Sequence, residues 1–576
     1  MDYKKFSLLK KLKLKFKNMY SERNSLGLKK ESLKQNIIEY DRSTLEKDIF
    51  DLLITRFGEE HLDEKTIDDL HDPYLLKDMK KAVKRIKQAK KNDEKVMIFG
   101  DYDVDWVTST SLLMHFFQKI WLKASYRLPH RVKDWYGLKA YFLDELKDLG
   151  VSLIITVDCG SRDIDVIDKA KKMWIDIIVT DHHNTPEIIP ESAVALINPK
   201  RPDCNYPFKY LAGAGVAFKL IQALASEYFT KEEARKYLKE SIDICAIWTV
   251  ADCMSIIWEN RILVREWLKQ LKNSRSRWVR RIIEDQIDQE IDADIFGFTL
   301  WPRLNAAGRM DSPYLAVNLL LNNWPTLETT LREIENLNEQ RKFLTKKFTE
   351  DAMWSIDRQD NLIFYVSKEI THWIIGIVAG RITEKFNKPC IVLKDEWDRL
   401  VASCRSPEYY SIIELLEKYK SYFLAFWWHK QAAWFSISKE KFPLFQKKIL
   451  SEINKLDFSK NKKILKIDKV VRLSELGFKF LEKVNRFKPF GMWNPKPLFM
   501  VENLQYEKLE FLGKGREHIK FTVKEWFKIF WFFMWDFYDE IKRSGGRVSI
   551  IFDLSEDSWM WKKNLMLKVV DIILEI

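Results

Sequence analysis

The chain has 576 residues, 46% of them hydrophobic and 31% charged, with a formal net charge of +13 and an isoelectric point near 9.0. That length allows about four domains, and the basic balance points to a polyanionic partner. No run of 18 apolar residues occurs, which argues against a membrane-spanning helix. The six cysteines (159, 204, 245, 253, 390 and 404) contain no Cys-x-x-Cys pair, which argues against a structural zinc or a disulfide framework and fits a reducing cytosol.

Residues 1–75 read as a helical lead-in. The stretch 4–17 is basic and partly amphipathic, without a long apolar core or a small-residue cleavage site, so it reads as a surface helix or basic tail rather than a signal peptide. From 76 to 255 helices alternate with short apolar strands, and three strands end in acids or histidines. Residues 96–99 lead into Gly100-Asp101-Tyr102-Asp103-Val104-Asp105, residues 153–157 into Asp158-Cys159-Gly160, and residues 177–180 into Asp181-His182-His183. Such runs, alternating with helices, are the pattern of a buried parallel sheet, and ligands of such sheets bind outside the carboxyl ends of the strands. Asp101, Asp103, Asp105, Asp158, His182 and His183 are therefore expected to converge on one edge. Asp252, after the apolar helical run 242–247, is expected to add a further acid.

A pocket of several carboxylates and two imidazoles is costly unless hard divalent cations neutralise it. Mixed carboxylate and imidazole donors suit Mn²⁺ or Mg²⁺. Two such ions about 3.5–4 Å apart clamp the attacking and leaving oxygens of a phosphoryl displacement. Asp158, alone on the middle strand, is the expected bridge between them. An isolated Asp-x-Asp at a strand end is more often a solvated loop; three such ends in α/β order reverse that expectation.

Residues 256–350 read as mostly helical. A long helix spans 315–356, interrupted near Trp324-Pro325. A second α/β lobe covers 357–455, with strands at 362–366 and 390–393. A basic, polar link near 460–463 precedes a strand-rich segment, 465–576.

Asp101-Tyr102-Asp103-Val104-Asp105, Asp181-His182-His183 and Asp252 resemble the motifs of the DHH phosphoesterase family. A wider match, to the family's single-strand-specific exonucleases, includes Tyr136-Gly137-Leu138, the segment from Leu211 to Ala217, Pro302-Arg303-Leu304-Asn305-Ala306-Ala307-Gly308-Arg309, and Pro489-Phe490-Gly491. The resemblance runs from about residue 70 to the C-terminus. It implies two α/β lobes, DHH and DHHA1, joined by a long helix, plus a C-terminal OB-like β-barrel. The implied domains are a lead-in (1–75), a DHH catalytic domain (76–255), a helical region and connector (256–356), a DHHA1 substrate-binding domain (357–455) and an OB-like nucleic-acid-binding domain (465–576).

The resemblance further implies 5′→3′ hydrolysis of single-stranded DNA with two ions, Mn²⁺ or Mg²⁺, and a role in DNA repair and recombination. Asp101, Asp103, Asp105, Asp158, His182 and Asp252 would hold the metals, with His183 orienting a ligand or touching phosphate. Arg131, Arg303, Asn305, Arg309, Ser403, Arg405 and His429 would grip the strand, Ser403 and Arg405 at its terminal phosphate. Implied partners are single-stranded DNA, a helicase and a single-strand-binding protein, for a cytoplasmic monomer. Phe487 and Phe490 could stack on bases, whereas Phe521 reads as barrel core. Two rival readings are a phosphodiesterase of nano-RNA or cyclic dinucleotides, and a non-catalytic DNA-binding scaffold.

Tryptophan stands where the family pattern has glycine. The positions are Trp106, Trp135, Trp174, Trp248, Trp301 and Trp493, and three in Trp427-Trp428-His429-Lys430-Gln431-Ala432-Ala433-Trp434-Phe435, which resembles Gly-Gly-His-x-x-Ala-Ala-Gly-Phe. The chain holds 18 Gly and 22 Trp. Glycine alone falls well below the usual figure of about 7%, while the two residue types together reach it. The two are physical opposites, one without a side chain and one the bulkiest. These positions are read as glycine UGA codons translated as tryptophan, with Trp559 as a genuine aromatic.

Overall fold

A computed structural model gives the architecture of residues 28–100, 104–128, 137–271, 274, 276–284, 293, 295–310, 313–321, 326–357, 359–429, 432–458, 461–513, 515–524, 527–559 and 562–575. The chain divides into two compact units, one of residues 1–301, 320–322 and 463–576, the other of residues 302–319 and 323–462.

The lead-in is not purely helical. Strands β1 (Leu28–Glu31) and β2 (Ile37–Tyr40) pair antiparallel, and β2 pairs parallel with a later strand, Ile464–Lys466. The Lys-rich sequence of β1 hides it, because three of its four residues face solvent and carry no apolar alternation. The helix Ile49–Phe57 follows, capped by the Asp48 carboxylate on the Phe50 N–H.

The first unit's parallel sheet contains β3 (Lys95–Gly100), β4 (Ala124–Arg127), β5 (Val151–Val157), β6 (Asp176–Thr180) and β7 (Ala195–Ile197), in the order β4-β3-β5-β6-β7. Leu153, Ile154, Ile155 and Val157 are fully buried, as expected for a strand covered on both faces. Each such side chain contributes about 1.5–3 kcal/mol relative to exposure. The strand order reverses between β3 and β5, so a crevice is expected at their carboxyl ends. The register is decisive: Gly100 pairs with Val157, Val157 with Thr180, and Thr180 with Ile197. The described residues that follow, 158, 181 and 198, leave the sheet in one row.

Helices cover the sheet. Met79–Lys91 buries Met79, Ala82, Val83, Ile86 and Ala89, the one-sided spacing of an amphipathic helix. Gly213–Tyr228 is buried along almost its whole length. Lys231–Ala251 begins in a capping box between Thr230 and Glu233 and ends at Asp252.

In the second unit the helices Pro313–Leu320 and Leu327–Ser355 stand where one interrupted helix was expected. Its sheet contains β8 (Ile363–Ser367), β9 (Cys390–Asp395), β10 (Arg399–Arg405), β11 (Phe423–His429) and β12 (Ala432–Ser438), in the order β11-β12-β10-β9-β8.

After β13 (Ile464–Lys466), the C-terminal segment forms a seven-stranded sheet. Its strands are β14 (Lys469–Val470), β15 (Phe499–Gln505), β16 (Lys508–Leu512), β17 (His518–Thr522), β18 (Lys528–Trp531), β19 (Arg547–Trp559) and β20 (Lys562–Leu574), with β14 and β16 at the edges. Phe521 is core, as expected. Phe487 and Phe490 are not stacking platforms: both are buried, packed on Phe57 of the lead-in helix.

Arg261 ties this region to the N-terminal part of the same unit. Its buried guanidinium donates to the carbonyls of Lys488, Pro489 and His61. Replacing it by Met leaves three acceptors without that donor and should cost roughly 1–3 kcal/mol. The expected readout is a lower urea midpoint, and an unchanged midpoint would contradict this role.

Candidate metal centre

Strand ends build the centre. Asp158 follows β5 directly, with its N–H on the Thr180 carbonyl at 2.9 Å and its backbone in the left-handed region at φ +59°. A non-glycine residue there is uncommon, although Asp is among the types that tolerate it, and such strain clusters at functional sites. Two residues on, Gly160 sits at φ +106°, and a Cβ there would lie 2.7 Å from the Thr156 hydroxyl oxygen. The sharp turn after β5 therefore requires glycine at 160.

Asp181, His182 and His183 follow β6. His182 Nε2 lies 3.0 Å from Asp158 Oδ1 and 3.8 Å from Asp252 Oδ2, and His183 Nδ1 lies 3.8 Å from Asp158 Oδ1. One donor atom each from Asp158, His182 and His183 falls within 4.8 Å of the others. Burial, then the neighbouring His183 charge, pushes His182 down to about 3, so it is a neutral imidazole with a lone pair to offer. This donor set fits a hard divalent cation.

Asp181 was not among the expected ligands, and the structure gives it a different task. It is 1% exposed. Its Oδ1 accepts from the N–H of His182 at 2.7 Å, the N–H of His183 at 3.1 Å and His183 Nδ1 at 2.8 Å, while Oδ2 accepts from the Ser161 N–H. Burial favours its neutral form, but the His183 hydrogen bond and the two imidazoles win and hold its carboxyl far below the usual range. It therefore orients the His183 ring and fixes the backbone that carries both histidines, as outer partners of metal sites do.

Asn198, at the end of the same row, is fully buried and donates to the Ser161 hydroxyl and the His183 carbonyl while accepting from the Lys200 N–H. Burial lowers the proton affinity of Lys200, and Asp252, Asp181 and Asp158 pull it back. A cation thus faces the acid cluster that sequence reading missed; a Lys after Asn-Pro carries no signal of its own.

Asp101, Asp103 and Arg131 lie outside the described residues. Asp105 stands at the start of the helix Val104–Lys119, Arg309 on the helix Trp301–Met310, and His429 at the end of β11.

The other expected grip residues belong to the second unit. Ser403 pairs across β10 with Trp434 and Val392, and Arg405 with Ala432 and Cys390. Arg405 Nη1 donates to the Ser403 hydroxyl at 3.3 Å and to the Cys404 carbonyl at 2.8 Å. A Cβ on Gly376 would stand 3.1 Å from Arg405 Nη2 and 3.2 Å from Ser403 Oγ, so glycine gives this pair its room. Arg303 Nε lies 2.5 Å from Glu335 Oε1, and Asn305 sits half-buried on the same helix as Arg303. Sequence reading did not single out Arg341 and Arg381. Burial lowers both, and for Arg341 the charges of Arg381 and Arg303 add to the effect.

Two family descriptions match the chain: "DHH family, N-terminal domain" over residues 95–247 and "RecJ OB domain" over residues 467–571. The single-stranded-DNA-specific exonuclease RecJ of Bacillus subtilis (strain 168) is 33% identical over 518 residues, 87% of this chain; the chain spans 64% of that relative. RecJ of Escherichia coli (strain K12) is 30% identical, with 78% of this chain and 81% of the relative covered. Crystalline RecJ from Thermus thermophilus, in complex with Mn²⁺, shares the fold with a TM-score of 0.77 at 23% identity, covering 92% of this chain and 76% of that one. A manganese-bound exonuclease RecJ gives a TM-score of 0.58 at 26% identity, covering 67% and 96%.

If Asp181 orients His183 and fixes the backbone of both histidines, Asp181→Asn should weaken Mn²⁺ binding about 10–100-fold while the protein stays folded. Titration calorimetry reads this, and wild-type affinity in the variant would remove Asp181 from the centre.

Proposed function

This chain belongs to the RecJ family, and on that premise we propose that it hydrolyses single-stranded DNA stepwise from the 5′ end, in the service of DNA repair and recombination. The observation that carries the reading is the row of strand ends, which sets Asp158, His182 and His183 within 4.8 Å of one another and Asp252 beside His182.

Asp101, Asp103, Asp105, Asp158, His182 and Asp252 would hold two divalent ions, Mn²⁺ or Mg²⁺. When bound, such ions neutralise phosphate charge and make a water nucleophilic at neutral pH. The chain's own groups do the rest. His182 offers a neutral nitrogen because its buried site disfavours the imidazolium. Asp181 keeps the His183 ring from rotating and fixes the backbone of both histidines. His183, half exposed beside Asp158, is placed to touch the phosphate or orient a ligand. Lys200 brings positive charge to the same acids.

Ser403 and Arg405 take the terminal phosphate. A guanidinium binds it through charge-assisted hydrogen bonds, and the contacts of Arg405 with the Ser403 hydroxyl and the Cys404 carbonyl aim it in advance. Arg131, Arg303, Asn305, Arg309 and His429 extend the grip along the strand. The OB-type domain is the part of the chain that would track a single strand without reading sequence. A helicase supplying unwound ends and a single-strand-binding protein are the protein partners this activity calls for.

The test uses 5′-phosphorylated, 3′-labelled single-stranded DNA with Mn²⁺. Asp158→Ala should abolish shortening and leave the circular dichroism spectrum unchanged; wild-type rates would exclude Asp158 from the mechanism. A preference for substrates of two to five nucleotides would favour the small-substrate reading, and binding without hydrolysis the scaffold reading.

Arg405→Ala should weaken DNA binding and flatten the plot of log affinity against log salt by about 0.7, the share of one phosphate contact on a single strand. An unchanged slope would place Arg405 away from the phosphate.

A further inference from the structure

Backbone conformation marks three tryptophans as standing at glycine positions. Among the described residues, four tryptophans have left-handed backbone: Trp121 at φ +58°, Trp174 at +64°, Trp258 at +49° and Trp493 at +64°. For a bulky side chain this is an outlier, because Cβ crowds the backbone there.

Local hydrogen bonds show what the conformation does at three of them. After the helix Val104–Lys119, the Trp121 N–H reaches the Gln118 carbonyl and the Leu122 N–H reaches back to Phe117. After the helix Ile164–Lys172, the Trp174 N–H reaches Lys171 and the Ile175 N–H reaches Ala170. Both are Schellman motifs with tryptophan at the left-handed position where glycine is favoured. Trp493 is the third residue of a turn closed by Asn494 N–H on Gly491 O at 3.1 Å. Left-handed φ at that place, after a residue of ordinary φ, defines a type II turn, which calls for Gly or Asn.

The indoles gain little in return. Trp121 is 88% exposed and Trp174 90%, while Trp493 meets Tyr210 at 5.0 Å between ring centroids. Elsewhere the chain closes helices with residue types suited to the conformation. Gly150 stands at φ +75°, Asn387 at +49° and Asp93 at +56°, with Cys253 at +52° as an exception.

We infer that the native chain carries glycine at 121, 174 and 493, and that the codons behind these three tryptophans are decoded as glycine in the cell that makes the protein. Sequence pattern and backbone geometry agree on positions 174 and 493. Position 121 comes from geometry alone. The inference does not rest on the exonuclease reading.

Two measurements test it. The first sequences peptides of the protein purified from its own cells, beside its gene. Glycine at the three positions over UGA codons is the expected result, and tryptophan over UGG overturns the inference. The second compares unfolding midpoints of recombinant chains. The triple variant Trp121→Gly, Trp174→Gly, Trp493→Gly should melt above its tryptophan-bearing parent. Trp531→Gly, at a buried strand position stacked on Phe537, should melt below that parent. A triple variant no more stable than the parent counts against the inference.

Discussion

The in-register ends of four parallel strands are the constraint on which the rest depends. Gly100, Val157, Thr180 and Ile197 form one row across the sheet. A parallel ladder close-packed on both faces resists slipping, since a one-residue shift would force every side chain on it to repack. The residues beyond the row must therefore emerge side by side, whatever their charge. Apolar strands thus supply the energy that holds Asp158, Asp181 and Asn198 together.

Concentrating carboxylates in a place of low dielectric is costly, and the site divides that cost among several devices. Asp181 is satisfied within the protein by backbone N–H groups and the His183 ring, so it shapes the site. Asp158 and Asp252 flank His182, which burial keeps neutral, so charge remains for a cation to neutralise. The second unit, taken by itself, holds a basic group in a prepared position. There Arg405 is aimed by Ser403 and a backbone carbonyl, and Gly376 leaves it room.

Much of this was legible because strand ends announce themselves. An apolar run that stops at an acid is visible one strand at a time, and α/β order says that such ends share an edge. Asp158, His182, His183 and Asp252 are brought together as that logic requires. What escaped has physical reasons. Asp181 looks like a ligand or a spacer until its hydrogen bonds are seen. Asn198 and Lys200 follow the last strand, β7, with no periodic or charge signal. The Lys-rich β1 mimics a surface helix. Phe487 and Phe490 carry the composition of a stacking surface, yet the lead-in helix buries them. Trp121 shows the reverse case, in which the residue type hides a turn that hydrogen bonds reveal.

The most direct test of the account is an anomalous difference map from crystals soaked in Mn²⁺. The account predicts density at the strand ends, coordinated by Asp158 and His182 and bordered by Asp252. Manganese bound elsewhere, with this cluster left without density at saturating concentration, would contradict it.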